Sequence, residues 1–113
     1  PIDGDNPAIK AFVSDYAAKY SGNKPSALAL MGYSAAAVFG EALKRAGPEP
    51  SRAKLIAEMD KLRDFDQKIG PRISFQPIGQ GDYARRGQTG VVLMELRDQR
   101  FMSMGSYIDP VSR

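Results

Sequence analysis

The chain has 113 residues, of which 42% are hydrophobic and 26% are charged, and it carries a formal net charge of +3. These values are ordinary for one folded domain or a part of one, and they exclude a disordered or fibrous chain. The sequence contains no cysteine and no histidine, which removes the thiolate nucleophile, the imidazole base and the usual zinc ligands. We therefore expect no enzymatic activity, no cofactor and no metal site.

No apolar run approaches the roughly 20 residues that a membrane-spanning helix needs, so we expect a folded, soluble protein. The first four residues, Pro-Ile-Asp-Gly, have neither the positive start nor the hydrophobic middle of a signal peptide. If the parent protein is exported, its signal lies outside this sequence.

The first predicted helix covers residues 7–20. Asn6 is a good N-cap, and Pro7 suits the first helical position. Apolar residues then recur at helical spacing on one face: Ile9, Phe12, Val13, Tyr16, Ala17 and Tyr20. We assign the two tyrosines of this face to packing.

Two further amphipathic helices follow. One is predicted over residues 26–46 with Ser26 as its cap, although a start nearer Tyr33 is an alternative; we expect close packing to compensate for its glycines at 32 and 40. The other follows Ser51 and ends around Arg63. Its apolar face consists of Leu55, Ile56, Met59 and Leu62.

The last part of the chain has strand-like patterns. Residues 72–76 alternate as in a half-buried strand, and residues 77–90 read as an irregular loop. Residues 91–96 and 101–108 are predicted to pair as a hairpin. We divide the chain, as one domain or a fragment, into a helical part (7–63) and a strand and loop part (70–108).

Five segments, taken in order, resemble a known family. They read NPAIKAFVSDYAAKYSGNKPS, ALALMGYSAAAVFGEALKRAG, SRAKLIAEMDKLRDFD, GPRISFQP and VVLMELRDQRFM. Together they closely resemble the carboxy-terminal portion of the extracellular substrate-binding proteins of ABC transporters for branched-chain amino acids (leucine, isoleucine and valine), which are type I periplasmic binding proteins.

The sequence differs from the usual sequence motifs of this family at two places. Ser34 stands where aspartate is common, which we expect to weaken a helix-start cap. Asp98-Gln99-Arg100 replaces the usual Asp-Gly-Lys, which we expect to make the hairpin turn less tight.

The resemblance implies an α/β chain: part of a type I periplasmic-binding-protein lobe, with three amphipathic helices, short strands and a C-terminal antiparallel hairpin. It implies a fragment of a longer, periplasmic or extracellular solute-binding protein. Such a protein captures a small amino-acid-like ligand between two lobes and delivers it to a membrane permease. Most ligand-contacting residues of that family lie upstream of the segments present here.

Tyr33 is the candidate ligand-binding residue and is expected to face the cleft or hinge, because with the later helix start it begins a helix whose other early residues are small. The alternative is a core tyrosine whose hydroxyl bonds to backbone.

Tyr83, Arg85 and Arg86 form a possible anion-binding loop, since guanidinium groups offer paired donors and tyrosine stacks. The alternative for this loop is a solvated surface.

The acidic residues at 58, 60, 64 and 66 do not have the spacing of a calcium loop or of an acid–base pair, so we expect no metal and no catalysis from them.

A second functional hypothesis is a free-standing basic interaction domain that binds nucleic acid or protein. It depends on the pI near 9.3 and on Arg85, Arg86, Arg97 and Arg100. Because the charges are interleaved along the chain, we do not expect a nucleic-acid partner. The apolar faces predict instead that the isolated chain forms a homo-oligomer.

Overall fold

A computed structural model describes residues 4–81 and 84–109. These residues form three helices, α1 (Pro7–Lys19), α2 (Ala27–Ala46) and α3 (Arg52–Asp60), followed by two strands, β1 (Met94–Arg97) and β2 (Arg100–Ser103). The predicted α/β chain of three helices followed by an antiparallel hairpin is confirmed.

The predicted helix caps are confirmed. Asn6 Oδ1 accepts a hydrogen bond from the backbone N–H of Ala8 at 2.8 Å. Ser26 Oγ and Ser51 Oγ each accept a bond at 3.2 Å from the backbone N–H three residues further on. Each bond satisfies a donor that the helix itself leaves unpaired. The second helix therefore starts directly after Ser26, and not near Tyr33.

The third helix ends earlier than predicted, at Asp60 rather than around Arg63. Leu62 was assigned to the apolar face of that helix, but it follows the helix end and is fully buried, with 0% of its surface exposed. Its carbonyl accepts a hydrogen bond from the N–H of Phe75 at 3.0 Å. Leu62 thus enters the core through a long-range contact, which helical periodicity does not predict.

The predicted strand around Ile73 shortens to a single antiparallel bridge. Phe65 and Ile73 exchange both backbone hydrogen bonds, at 2.8 and 2.9 Å. The next N–H, that of Ser74, bonds to the carbonyl of Gly87 at 3.0 Å. Because consecutive donors reach different segments, no regular ladder forms in this part of the described chain.

The hairpin has a tight two-residue turn. Arg97 pairs with Arg100, and Asp98 and Gln99 between them have φ values of 49° and 63°. Two positive φ values are the mark of a type I′ turn, whose twist matches that of the strands. The prediction of a less tight turn was wrong, because Gln99 adopts the left-handed conformation that glycine usually supplies.

The chain divides into two compact units. Unit 1 comprises Pro1–Tyr33 and Gly90–Arg113, and in it Ile9 and Phe12 of α1 are buried. Unit 2 comprises Ser34–Thr89. Its core consists of four buried residues, with four partly buried residues packed against them: Val38, Ala42, Leu62 and Ile73, then Leu55, Met59, Phe65 and Phe75.

The glycines of α2 are not in close contacts. A Cβ atom added at Gly32 or Gly40 would meet nothing within 4 Å outside the helix itself. The expectation that close packing offsets the low helix propensity of these two glycines is therefore wrong for the described part of the chain. Each glycine lowers the stability of α2 relative to alanine.

None of the helices in the described residues is long and apolar enough to cross a membrane.

Candidate functional site

Tyr33 lies on α2, within unit 1, and half of its surface is exposed (50%). Its ring centroid is 4.9 Å from that of Phe12, with the planes tilted by 47°. Phe12 is buried on α1, so one side of the Tyr33 ring is fixed by packing while the remainder is open. A ring held in this way keeps a defined orientation toward solvent.

Two more aromatic rings continue the contact along α1. The ring centroids of Phe12 and Tyr16 are 5.9 Å apart, and those of Tyr16 and Tyr20 are 4.5 Å apart. These residues are four positions apart, which places them on one helix face. We call Phe12, Tyr16, Tyr20 and Tyr33 the aromatic row. Its exposed parts offer flat apolar surface and phenolic hydroxyls, the combination that small-molecule sites use.

The packing assigned to Tyr16 and Tyr20 from their helical spacing agrees with these ring contacts. Two roles were considered for Tyr33, contact with a ligand and packing in the core. The structure leaves its side chain half exposed. A ligand-binding role for Tyr33 stays a prediction.

Arg85 lies in unit 2, where its guanidinium pairs with Asp60. Its Nε donates to Asp60 Oδ1 at 3.2 Å and its Nη2 donates to Oδ2 at 3.0 Å. The hydrogen bonds that Arg85 donates to Asp60 raise the pKa of Arg85 above its ordinary value, while desolvation acts in the opposite direction. Asp60 was not predicted as the partner, because the two residues are far apart in sequence and are joined only by the fold.

The predicted anion-binding loop is described only in part. Tyr83 lies outside the described residues, and Arg86 has an interaction of its own. Since Asp60 already occupies two donors of Arg85, an anion at this guanidinium would compete with a carboxylate. Anion binding by this loop stays a prediction.

The acidic residues considered in the sequence all form ion pairs. The pairs are Glu58–Lys61, Asp60–Arg85, Asp64–Arg72 and Asp66–Lys68. Over the described ranges, no group of three or more acidic side chains could hold a metal ion.

Ser34 has a different role from the one predicted. It lies inside α2, so it is not a helix-start cap, and its hydroxyl donates a hydrogen bond to Oε1 of Gln67. Gln67 is buried, and its Nε2 donates to the carbonyl of Pro71 at 2.6 Å. Ser34 therefore ties α2 to the turn that follows Gln67. No sequence pattern marks this glutamine, because it stands in a largely polar stretch.

A comparison with family models decides the identity of the chain. The family model described as periplasmic binding protein matches residues 1–100. The chain belongs to the periplasmic binding protein family. The resemblance noted in the sequence is thereby confirmed at the level of this family. Neither the curated proteins nor the solved structures give a significant match.

The periplasmic binding protein family is associated with solute binding in transport and with a periplasmic location, and its members are generally not enzymes. The three helices and hairpin of this periplasmic binding protein chain are consistent with a part of such a protein.

Proposed function

We propose that this chain is the C-terminal portion of the solute-binding component of an ABC transporter. The complete protein captures a small amino-acid-like solute between two lobes and delivers it to a membrane permease from the periplasmic or extracellular side. The observation that carries the proposal is the family match over residues 1–100, which covers the first four family-like segments and all but the last two residues of the fifth. Branched-chain amino acids are the first class to test, because those segments resemble binding proteins for them.

In this proposal Tyr33 contacts the solute. The support is its geometry: the ring packs on Phe12 on one side, at 4.9 Å, and is half exposed on the other. Such a ring offers an apolar face to the solute and a hydroxyl for one hydrogen bond. The lobes close around the solute by a hinge motion. Most other contacts come from parts of the complete protein that precede these residues.

Calorimetric titration of the complete protein with a panel of amino acids and aromatic acids tests the function. We expect saturable heat with at least one member of the panel. Tyr33→Ala in the complete protein should weaken binding about tenfold, the cost of one lost hydrogen bond and its packing. Phe39→Ala is the matched control: it removes a similarly exposed ring (49%) of the same helix that is not part of the aromatic row, and it should leave the affinity unchanged.

The alternative of a basic interaction domain has less support. Two of its four arginines are paired with carboxylates of the same chain, Arg85 with Asp60 and Arg97 with Glu95 at 2.8 Å. Paired cations release fewer counterions from nucleic acid. A salt-dependent mobility shift of DNA or RNA at low ionic strength would favour this alternative over solute binding.

A further inference from the structure

A small pocket lies within unit 2, between the last turn of α3 and the segments around Phe75 and Arg85. Its volume is about 150 Å³, and it is lined by Ile56, Met59, Asp60, Phe75 and Arg85. All five residues belong to unit 2, whereas Tyr33 belongs to unit 1. Tyr33 is not among the residues that line this pocket.

The loop side of the pocket is held in place by backbone bonds. The N–H of Arg85 donates to the carbonyl of Gln76 at 2.8 Å, and the N–H of Ser74 donates to the carbonyl of Gly87 at 3.0 Å. Gly87 lies directly against the Phe75 ring, since a Cβ atom there would be 2.7 Å from Cζ. The pocket is therefore formed before any ligand arrives, as is usual for small-molecule sites.

The lining is apolar except at one charged pair. Ile56, Met59 and Phe75 supply the apolar wall, and the polar lining comes from Asp60 and Arg85. These two side chains bond to each other through two hydrogen bonds of 3.2 and 3.0 Å. The pair has no net charge, but it presents a carboxylate acceptor beside guanidinium donors.

This pairing selects against charged ligands. A carboxylate placed on Arg85 would also face Asp60, and an ammonium placed on Asp60 would also face Arg85, so either ion meets one like charge. An uncharged hydroxyl meets no like charge, because it donates to a carboxylate oxygen and accepts from a guanidinium N–H. The charges of the pocket thus complement a hydroxyl group.

The volume sets the size of the apolar part of the ligand. A cavity of about 150 Å³ lined by aliphatic and aromatic side chains is large enough to take up benzene. The pocket therefore accommodates about one six-membered ring.

We propose that this pocket binds a small uncharged molecule that consists of one ring and one hydroxyl group. The ring lies against Ile56, Met59 and Phe75, and the hydroxyl lies against the Asp60–Arg85 pair.

Titration of the isotope-labelled 113-residue chain with phenol, followed by NMR, tests the proposal. The methyl signals of Ile56 and Met59 should shift and saturate, with a Kd in the millimolar range. Benzoate and benzylammonium should bind about fivefold more weakly, because each faces one like charge. Shifts that do not saturate, that spread evenly over the exposed hairpin, or that are larger with either ion would overturn the proposal.

A filling variant identifies the pocket as the place of binding. Ile56→Phe places a larger side chain in the pocket and leaves less room for a ligand. It should therefore weaken phenol binding about tenfold or more. Leu93→Phe makes the same kind of change at an exposed position of unit 1 and should leave the Kd unchanged. Equal affinity in Ile56→Phe and in the unchanged chain would contradict the assignment.

A charge variant tests the part played by the ion pair and does not depend on how the filling variant folds. Asp60→Asn leaves the Arg85 charge without its carboxylate, so benzoate should now bind about fivefold more tightly than phenol. If phenol keeps its advantage over benzoate in Asp60→Asn, the hydroxyl is not recognised by this pair and the proposal fails.

Discussion

At the scale of single residues, Gly87 shows how a missing side chain determines local packing. A Cβ atom at this position would lie 2.7 Å from Cζ and 2.9 Å from Cε1 of Phe75, and 3.1 Å from Cγ2 of Ile73. Both neighbours belong to or pack against the core of unit 2. The backbone at Gly87 can therefore lie this close to the side chains of Phe75 and Ile73 because residue 87 has no Cβ atom.

Substituting alanine for Gly87 should destabilise the chain by about 1–3 kcal/mol, the usual cost of overpacking. Gly40→Ala is the matched control: it lies inside α2 with nothing within 4 Å, so alanine should stabilise the chain by about 0.5–1 kcal/mol. Urea denaturation measures both values. Changes of the same sign in the two variants would contradict the packing described for Gly87.

Asp66 gives a prediction about pH. The side chain and backbone N–H groups of Lys68 donate to its carboxylate, at 2.6 and 2.9 Å, and hold the pKa of Asp66 below its ordinary value of 3.8. The unfolded chain then binds more protons than the folded chain between the two pKa values. The stabilisation is present above pH 3.8 and is lost as the pH falls through the lower, folded-state pKa.

Asp66→Asn should therefore reduce the acid-induced loss of stability below pH 3.8, while slightly lowering stability at neutral pH. Urea midpoints between neutral pH and about pH 2.5 measure this change. Lys68→Met, which removes the side-chain donor to Asp66, should change the acid limb in the same direction. An acid limb of unchanged slope in Asp66→Asn would show that this carboxylate does not contribute.

At the scale of the elements, the hairpin depends on an uncommon residue in its turn. Gln99 has a φ of 63°, and Asp98 before it has a φ of 49°. Aspartate tolerates this region, whereas a long side chain such as glutamine adopts it at a cost of about 1 kcal/mol. Asp-Gly is among the preferred pairs for such a turn.

Gln99→Gly should stabilise the hairpin by about 0.5–1 kcal/mol, because glycine adopts a positive φ without steric cost. Hydrogen exchange of the amides that join β1 and β2 reports on this directly. Gln99→Ala also removes the side chain but keeps the Cβ, so it should give no gain. Equal protection in the glycine and alanine variants would argue against a strained turn.

The elements that depend on local sequence could be predicted, whereas those that depend on distant partners could not. Asn6, Ser26 and Ser51 cap their helices within three residues, so their roles are visible in the sequence. The bridge between Phe65 and Ile73 depends on a turn that brings distant residues together, and no periodicity encodes it.

The same distinction applies to the candidate sites. Tyr33 stands out because its neighbours are small, and the structure leaves it half exposed. The partner of Arg85 is Asp60, 25 residues away, and the partner of Ser34 is Gln67, 33 residues away. Charge and composition suggest that Arg85 is available for an anion, and only the fold shows the carboxylate beside it.

At the scale of the whole molecule, the hairpin leaves much apolar surface open. Its large hydrophobic side chains between Leu93 and Met104 are all 47–66% exposed. Within the described chain, the sheet consists of β1 and β2 alone, and two-stranded sheets are at best marginally stable in water. Exposed apolar strands of this kind favour pairing with another surface.

We therefore expect the isolated chain to form a dimer or a larger oligomer through the hairpin, which light scattering measures. Combining Leu96→Ser with Phe101→Ser should shift it toward the monomer. Leu28→Ser, which changes a still more exposed leucine of α2 (76%), is the control and should have little effect. A monomeric wild-type chain at high concentration would contradict this expectation.

The central claim, that the chain is part of a solute-binding protein, is tested most directly by calorimetric titration of the complete protein and of the isolated 113-residue chain with the same amino-acid panel. We predict one saturable site in the complete protein. Binding to the isolated chain should be about 100-fold weaker or absent, because a cleft that encloses its ligand needs both of its walls. A folded complete protein that gives no heat with any solute, or an isolated chain that binds as tightly as the complete protein, would contradict the proposal.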